Sequence, residues 1–214
     1  TLKRSAGFAG DCQPVKESAL AYGVNEKDVF IFPWGIDLER FSPEGSHNLR
    51  EQLSWQNQFV VLSNRSWEPL YGVDTVVKAF IKASAFMPEL RLLLLGNGSM
   101  KDQILSLIDA SGFKDRVHIT GQINNDHLAD YYRASDLYVS ASYSDGSSVS
   151  LMEALACGLP ALVSDIPGNR EWVTEGVEGW KFPAGDSEQL AKKIVSVCAE
   201  RQVLNSYKLA ARKK

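Results

Sequence analysis

Short apolar runs alternate along the chain with longer segments in which apolar and polar residues are mixed. The short runs are typical of buried strands, and the mixed segments are typical of amphipathic helices. The apolar runs predict strands at residues 29–32, 59–64, 90–95, 117–120, 136–140, 160–164 and 179–182. The mixed segments predict helices at residues 12–22, 48–54, 73–86, 100–111, 125–134, 148–157, 169–175 and 187–200. This alternation predicts an α/β fold with helices on both faces of a parallel sheet.

Several polar or glycine-rich segments come directly after a predicted strand. They are Arg65, the turn at residues 96–99, Gln122 and the loop at residues 142–149. Ligands of open parallel sheets bind beyond the carboxyl ends of the strands. The order of the elements alone therefore predicts that these segments share one ligand-binding edge.

The composition narrows the possible partners without naming a function. The chain has 214 residues, of which 44% are hydrophobic, and this is enough for one substantial core. Its net charge of −3 gives no indication of the basic surface that nucleic acids require, so no nucleic-acid partner is expected. No apolar run approaches the ~20 residues that a transmembrane helix needs, and we expect a cytoplasmic protein.

Cysteine and histidine residues give no indication of a metal site. The cysteines are Cys12, Cys157 and Cys198, and the histidines are His47, His118 and His127. Three widely spaced cysteines favour packed thiols in a reducing compartment over a zinc site. The histidines are scattered and lack the spacing of a metal-binding helix, so we predict no bound metal.

The segment from Ser142 to Pro160 carries the most specific chemistry. It joins a short polar loop to a predicted helix whose N-cap is Ser147 or Ser148. The unpaired N–H groups at the start of such a helix suit a phosphate. Asp145 and Glu153 lie eight residues apart and can accept hydrogen bonds from sugar and ribose hydroxyls. Either acid alone is more typical of a solvated surface residue, so the prediction depends on their combination.

The same segment resembles the signature of retaining family-4 glycosyltransferases of the GT-B fold. That signature consists of an acid, seven further residues, a glutamate and then Ala-x-Ala-x-Gly-x-Pro. The matching residues are Asp145, Glu153, Ala154, Ala156, Gly158 and Pro160. The resemblance implies the C-terminal, donor-binding half of a GT-B fold, which is a Rossmann-like three-layer sandwich. Weaker matches to the family extend over nearly the whole chain.

The resemblance also implies which residues act. The catalytic set is Arg65 on the diphosphate, Asp145 on the sugar and Glu153 on the ribose. The donor-binding set is Asn64, Gly98, Gln122, Ile123, Gly146, Ser147, Ser148 and Val149. Arginine suits a diphosphate because its planar guanidinium group stays charged and binds phosphate oxygens in pairs. A lone arginine at the end of a strand is more often part of a surface ion pair.

Two positions depart from the family pattern. Asp145 stands where the family usually has glutamate, which shortens the reach toward the sugar by one methylene. Tyr71, just before Gly72, stands where the family usually has a lysine. The second positive charge on the diphosphate is therefore absent from that place, and Lys101 and Arg170 are the candidates to replace it.

The resemblance implies a division of the chain into two parts. Residues 1–26 are expected to form an inter-domain connecting segment with a helix, and residues 27–214 the nucleotide-sugar-binding domain. Residues 33–43 predict a glycine turn with packed aromatic side chains. The N-terminal acceptor-binding domain and the C-terminal helix that crosses back to it in relatives are expected to be absent, and residues 212–214 to be a frayed tail.

The implied function is transfer of a hexose from a nucleoside diphosphate sugar to a glycan, lipid or small-molecule acceptor, with retention of configuration. A UDP-sugar is the favoured donor, GDP- and ADP-sugars stay open, and no cofactor is expected. The acceptor would bind through the missing domain, so this chain alone is expected to be inactive. In the full-length protein a peripheral position at the inner membrane face is also open. Two alternatives remain: a non-catalytic nucleotide-sugar-binding or regulatory domain, and a nucleotide-sugar epimerase on the same fold.

Overall fold

The computed structural model describes residues 5–45 and 48–214, so His47 and the first four residues of the predicted connecting segment lie outside the described residues. The strands are β1 (Phe8–Gly10), β2 (Val29–Ile31), β3 (Phe59–Ser63), β4 (Leu90–Leu95), β5 (Val117–Gly121), β6 (Leu137–Ser140), β7 (Ala161–Ser164) and β8 (Gly179–Phe182). The helices are α1 (Gln13–Ala21), α2 (Leu49–Gln52), α3 (Val73–Ser84), α4 (Lys101–Asp109), α5 (Asn125–Arg133), α6 (Val149–Ala156), α7 (Pro167–Trp172), α8 (Ser187–Ala199) and α9 (Leu204–Lys213). Short 3-10 turns lie at Glu26–Asp28, Pro69–Tyr71, Lys114–Arg116 and Arg201–Val203.

Six strands form the central sheet, all parallel and in the order β5-β4-β3-β6-β7-β8. The chain moves outward from β3 to β5 and then returns to place β6 on the other side of β3, where Val61 pairs with Leu137. A crevice opens beyond the carboxyl ends of the strands where the order reverses in this way. The residues that follow β3 and β6 are therefore neighbours at the mouth of that crevice.

Helices cover both faces of the sheet because successive side chains of each strand point to opposite sides. In β3, Phe59 and Val61 pack into a buried cluster with α3, α4 and α8. Val60 and Leu62 point the other way and pack into a second cluster with α5 and α6. Continuous apolar strands of this kind are expected in a parallel sheet with two covered faces. The structure thus confirms the α/β fold and its three layers.

All of the predicted strands and helices are present, with ends that differ by a few residues. The largest difference is in α7, which was expected at residues 169–175 but begins at Pro167 and ends at Trp172. Proline suits the first turn of a helix because its missing N–H has no partner there in any case. Gly158 follows α6 with φ 67°, as the sequence predicted for the end of this helix.

A separate two-stranded parallel sheet is formed by β1 and β2, which α1 connects. Phe8 pairs with Val29, and Gly10 pairs with Ile31. The predicted boundary between residues 26 and 27 therefore falls inside one β1–α1–β2 unit. The roles of a connecting segment and a binding domain stay a prediction.

The C-terminal residues form α9, so the expectation of a frayed tail is wrong. Helix α9 packs against α6, and Ala211 on α9 is buried. Arg212 donates hydrogen bonds to the main-chain oxygens of Phe41 and Ala156, at 3.1 and 2.7 Å. These bonds fix the end of the chain to the last residue of α6.

Candidate functional site

Arg65 lies just beyond β3 and reaches across to the loop that follows β6. Its Nη2 lies 2.7 Å from Asp145 Oδ2. Its Nη1 donates to the hydroxyls of Ser148 and Ser150 at 2.8 and 2.9 Å. The side chains of Arg65 and Asp145 are only 11% and 18% exposed, so water screens their attraction less than it screens a surface pair. The structure therefore brings the predicted arginine and the predicted acid into direct contact.

Tyr71 occupies the position at which the family usually carries a lysine. Its ring lies against the guanidinium group of Arg65, with Cζ 4.3 Å from the ring centroid. This contact is a favourable cation–π arrangement, but it adds no positive charge. Neither proposed substitute lies in the contact network: Arg170 pairs with Asp165 at 2.7 Å, and Lys101 is exposed at the start of α4.

Helix α6 begins directly beside this ion pair, with Ser148 as its N-cap residue. The hydroxyl of Ser148 accepts a hydrogen bond from Arg65 and makes no capping bond to the amides of its own helix. The first N–H groups of α6 therefore have no side-chain cap, which is the arrangement that binds anions at helix N-termini. An anion on these amides would also meet Arg65.

Glu153 lies in the second turn of α6 and is linked to β3 through Tyr132. The Tyr132 hydroxyl donates to Glu153 Oε2 at 2.8 Å and accepts from Asn64 Nδ2 at 2.7 Å. Burial raises the pKa of Glu153, and the hydrogen bond from Tyr132 partly opposes that change. Burial and the nearby Glu153 raise the pKa of Tyr132 well above its usual range, so its hydroxyl stays protonated. Asn64 is thus connected through Tyr132 to Glu153, and the adjacent Arg65 pairs with Asp145. Both acids belong to the same loop–helix segment.

A cavity of about 300 Å³ opens beyond the carboxyl ends of β3, β4 and β5. Its lining includes Asn64, Gly96, Gln122, Ile123 and Leu128. The side chains of Ile123 and Leu128 give it an apolar wall, while the amides of Asn64 and Gln122 supply donors and acceptors. Three predicted donor-binding residues thus meet in one cavity, on the same sheet edge as Arg65.

Two other predicted donor-binding residues have a different environment. Gly98 packs against the main chain, and a Cβ at this position would lie 2.5 Å from the carbonyl oxygen of Trp67. Its small size is required by this packing, and it is not among the residues that line the cavity. Val149 is the first residue of α6 and its side chain is 41% exposed. As the first residue of α6, it contributes a main-chain N–H that has no partner within the helix.

Asp11, which the sequence did not mark as a site residue, reaches the same loop from the turn after β1. Its Oδ2 accepts hydrogen bonds from the N–H of Ser147 at 2.9 Å and from the indole N–H of Trp34 at 3.2 Å. The Ser147 hydroxyl donates to the main-chain oxygen of Asp11 at 2.5 Å. Trp34 is 57% exposed, so the expectation of packed aromatic side chains is correct for the buried Phe41 and wrong for Trp34.

The hydrogen-bond network of the site also includes Tyr132, Tyr138 and Ser150. The sequence did not mark any of these three as a site residue. Tyr132 shares the buried face of α5 with Ala129, a spacing that predicts burial but gives no information about its partners. The Tyr138 hydroxyl lies 2.9 Å from Ser150 Oγ. Ser150 Oγ also accepts a hydrogen bond from Arg65, so Ser150 connects Tyr138 with Arg65. No sequence signal distinguishes Ser150 from the other serines of this segment.

The arrangement combines one guanidinium group, free helix amides and several carboxylates. Across residues 5–45 and 48–214, no group of three His, Cys, Asp or Glu side chains is placed to hold a metal ion. His118 meets the edge of the Trp55 ring, and burial lowers its pKa, as expected of a packed side chain. Arg65 and the α6 amides can stabilise negative charge, while Asp145 and Glu153 can accept hydrogen bonds from hydroxyls. Such a site suits a ligand with an anionic centre flanked by hydroxyl-bearing groups.

Comparison with known proteins identifies related sequences. The family model for glycosyl transferases group 1 matches residues 46–214. D-inositol 3-phosphate glycosyltransferase from Geodermatophilus obscurus is 28% identical over 195 residues, which are 86% of this chain and 43% of that protein. The UDP-N-acetylglucosamine–peptide N-acetylglucosaminyltransferase GtfA subunit from Streptococcus gordonii is 32% identical over 130 residues, which are 60% of this chain and 25% of that protein. The chain thus spans less than half the length of these two relatives.

Solved structures with the same architecture include HepE and a sucrose-phosphate synthase. HepE from Anabaena, in complex with UDP, superposes with a TM-score of 0.87 at 22% identity, covering 98% of this chain and 58% of that one. Sucrose-phosphate synthase from Thermosynechococcus elongatus superposes with a TM-score of 0.85 at 26% identity, covering 99% of this chain and 54% of that one. The α/β fold with its six-stranded parallel sheet is therefore that of GT-B glycosyltransferase structures. With a family model matched over most of its length, the chain belongs to the glycosyl transferases group 1 family.

Proposed function

We propose that this chain is the C-terminal, donor-binding part of a retaining family-4 glycosyltransferase. The whole enzyme would move a hexose from a nucleoside diphosphate sugar to a glycan, lipid or small-molecule acceptor held by an N-terminal domain outside this chain. A UDP-sugar is the favoured donor, and the Anabaena HepE structures in complex with UDP and with UDP-glucose support that choice. No metal or other cofactor is required by this proposal.

The observation that carries the proposal is the meeting of two adjacent residues with two acids. Asn64 and Arg65 leave β3 together and reach, respectively, the Tyr132–Glu153 pair and Asp145. A nucleoside diphosphate sugar has an anionic centre between two hydroxyl-bearing rings. The protein groups match these parts one by one: Asp145 suits the hexose, Arg65 suits the diphosphate and Glu153 suits the ribose.

Each part of the donor has a proposed binding group. The diphosphate binds Arg65 and the first amides of α6, where the hydroxyls of Ser148 and Ser150 already orient the guanidinium group. The ribose diol donates to Glu153, and the base enters the cavity lined by Gln122 and Ile123. Asn64 Oδ1 and Arg65 Nε are among the buried polar atoms of the described residues that lack a protein partner, and both belong to proposed binding residues.

Catalysis in this proposal is mainly positioning and charge stabilisation. As the bond to the sugar breaks, negative charge develops on the leaving diphosphate. Arg65 and the amides of α6 are held in place before the reaction and stabilise that charge without reorganising. Asp145, released from part of its interaction with Arg65, accepts hydrogen bonds from the hexose. Retention of configuration is part of the proposal because Asp145 and Glu153 belong to a signature of retaining enzymes.

Calorimetric titration with UDP, GDP, ADP and their glucose conjugates tests the proposal. We expect one base to bind best and expect Glu153→Ala and Arg65→Ala each to weaken that binding about tenfold or more, since each removes a hydrogen bond involving a charged group. His127→Ala, an exposed change on α5, is the control and should leave affinity unchanged. Unchanged affinity in both site variants would show that the site is wrongly assigned.

A non-catalytic nucleotide-sugar-binding or regulatory domain is the second candidate. It is favoured by Tyr71, which replaces a lysine with a neutral ring, and by Asp145, which neutralises Arg65. The two candidates differ in turnover: a full-length enzyme releases UDP in the presence of an acceptor, whereas a binding domain does not. An epimerase would instead convert the donor sugar with no acceptor present, which product analysis of the same reactions detects.

The cellular site follows as part of the proposal. No helix of the described ranges is both long and apolar enough to cross a membrane. Nucleoside diphosphate sugars are cytoplasmic metabolites, so we place the protein in the cytoplasm, with a peripheral position at the inner membrane face if the acceptor is a lipid. Separating cells that express the full-length protein into membrane and supernatant fractions, with and without high salt, tests this placement.

A further inference from the structure

Asp11 joins the β1–α1–β2 unit to the loop before α6. Its Oδ2 accepts hydrogen bonds from the N–H of Ser147 and from the indole of Trp34, at 2.9 and 3.2 Å. The Ser147 hydroxyl adds a third bond, to the main-chain oxygen of Asp11. Both of these side-chain bonds end on Oδ2, so neither of them occupies Oδ1, although the neighbouring Cys12 thiol also interacts with the carboxylate. Asp11 is thus a carboxylate held in a fixed orientation at the rim of the candidate site.

Two acids accept hydrogen bonds from consecutive amides, those of Gly146 and Ser147. Asp145 Oδ1 accepts a hydrogen bond from the Gly146 N–H at 3.1 Å, while Asp11 Oδ2 accepts from the next amide, that of Ser147. A Cβ at Gly146 would lie 2.4 Å from Asp11 Oδ2, so only glycine allows this approach. Consecutive amides of one loop therefore hold two carboxylates close together.

The loop has two chemically different ends. At one end, Arg65 meets Ser148 and Ser150, and the amides of α6 begin. This end is suited to phosphate. At the other end, both polar groups of Ser147 are directed to the carboxylate residue Asp11, and the one nearby cation, Arg65, is already paired with Asp145. This end repels phosphate and attracts hydrogen-bond donors such as sugar hydroxyls.

We propose that Asp11 is a specificity-determining residue that accepts hydrogen bonds from hydroxyls of the donor hexose and excludes sugars that carry a carboxylate. The proposal deepens the function proposed above and rests on it. Asp11 and Asp145 both bind the ring. A uronic acid would place a third negative charge beside these two. The nearby cation, Arg65, already pairs with Asp145 and offsets little of that repulsion.

Trp34 has a supporting role in this proposal. Its indole N–H holds Asp11 Oδ2, although more than half of the tryptophan surface is exposed. An exposed ring that keeps a hydrogen bond to a carboxylate is placed to fix the direction of that carboxylate. Trp34 is therefore a positioning residue, and it acts on the sugar only through Asp11.

The test is calorimetric titration of this chain with UDP, UDP-glucose and UDP-glucuronate. In the wild-type protein, UDP-glucose should bind more tightly than UDP-glucuronate. Asp11→Asn keeps the shape and an acceptor for the Ser147 amide but removes the charge. It should leave UDP affinity within about twofold and reduce the preference for glucose over glucuronate about tenfold, as expected for loss of a charged partner. Glu17→Gln removes the same charge from an exposed site on α1 and should change neither quantity.

Each other outcome contradicts the proposal in a different way. If Asp11→Asn raises UDP affinity and leaves the sugar preference unchanged, Asp11 competes with phosphate and does not bind the hexose. If the variant binds all three ligands as the wild type does, Asp11 has only a structural role. If the wild-type chain does not bind UDP at all, the proposed function fails and this inference fails with it. Trp34→Phe should also reduce the preference for UDP-glucose over UDP-glucuronate, but by less than Asp11→Asn does.

Discussion

Arg65 Nη2 lies 2.7 Å from Asp145 Oδ2, so the cation that would bind the diphosphate is already neutralised by the acid that would bind the sugar. Both side chains are largely buried, and the pair is held further by the hydroxyls of Ser148 and Ser150. A diphosphate must therefore compete with Asp145 for Arg65. Donor binding and the position of Asp145 are coupled through this single guanidinium group.

Asp145→Asn is expected to raise the affinity for UDP about threefold to tenfold, because Arg65 would no longer share its charge with a carboxylate. The same change should reduce the additional affinity that a hexose confers, since the strongest acceptor for its hydroxyls is lost. Calorimetry with UDP and UDP-glucose measures both effects. Asp165→Asn, which removes the acid of the exposed Arg170 pair, is the matched control. Weaker UDP binding by Asp145→Asn would show that Asp145 orients Arg65 and does not compete for it.

Tyr71→Lys is expected to tighten UDP binding about tenfold by supplying a second cation beside Arg65. The wild-type ring lies 4.3 Å from Arg65 Cζ and brings no charge. The added affinity should fall as salt is raised from 50 to 500 mM, because the contribution is electrostatic. Tyr71→Phe keeps the ring over Arg65 and should leave affinity and its salt dependence unchanged. A Tyr71→Lys variant with wild-type affinity would mean that the diphosphate lies out of reach of this position.

The sequence alone was sufficient to predict the strands and helices whose formation depends on burial. β3 reads as an apolar run because both faces of the sheet are covered, and its carboxyl end could be located from the order of elements alone. β1 was missed because it has three residues, among them two glycine or alanine positions, and pairs only with β2. α9 was missed because half of its ten residues are polar, and part of what holds it is a set of hydrogen bonds from Arg212 to main-chain oxygens.

Side-chain partners were predictable only where a motif already joined them. Arg65, Asp145 and Glu153 were placed at one edge by the strand order and by the spacing of the two acids. Asp11 comes from a different sheet, 136 residues away from Ser147 along the chain, and nothing in its local sequence indicates that contact. Tyr132 reads as one more buried residue of an amphipathic helix. Contacts that depend on how two units pack together leave no local pattern in a sequence.

Glu153→Gln is expected to stabilise the protein at neutral pH while it weakens nucleotide binding. Burial raises the pKa of Glu153 above that of an unfolded glutamate. The folded state therefore holds its proton to a higher pH, and stability from this side chain is lost as pH rises from the unfolded pKa through the folded one. Glutamine cannot ionise, so the variant should gain on the order of 1 kcal/mol in the free energy of unfolding at pH 7.5.

The pH dependence separates this effect from general repacking. At pH 4, where Glu153 is protonated in the folded state, urea unfolding should give nearly equal free energies for wild type and Glu153→Gln. Glu17→Gln, on the exposed side of α1, should show no such pH-dependent difference. A gain of equal size at both pH values would mean that ionisation of Glu153 is not its cause.

Gly168→Ala is expected to weaken nucleotide-sugar binding about tenfold or more through the loop that it supports. Gly168 lies in α7, and a Cβ there would be 2.5 Å from the main-chain oxygens of both Asp145 and Gly146. Backbone atoms at that distance must shift, and a displacement of about 1 Å in a binding loop can cost a hundredfold. Gly35→Ala is the matched control, because a Cβ at Gly35 would have nothing within 4 Å. Calorimetry with UDP-glucose measures the loss, and hydrogen exchange at residues 145–148 should rise in Gly168→Ala alone. Wild-type affinity together with wild-type exchange would show that this loop can move without affecting the site.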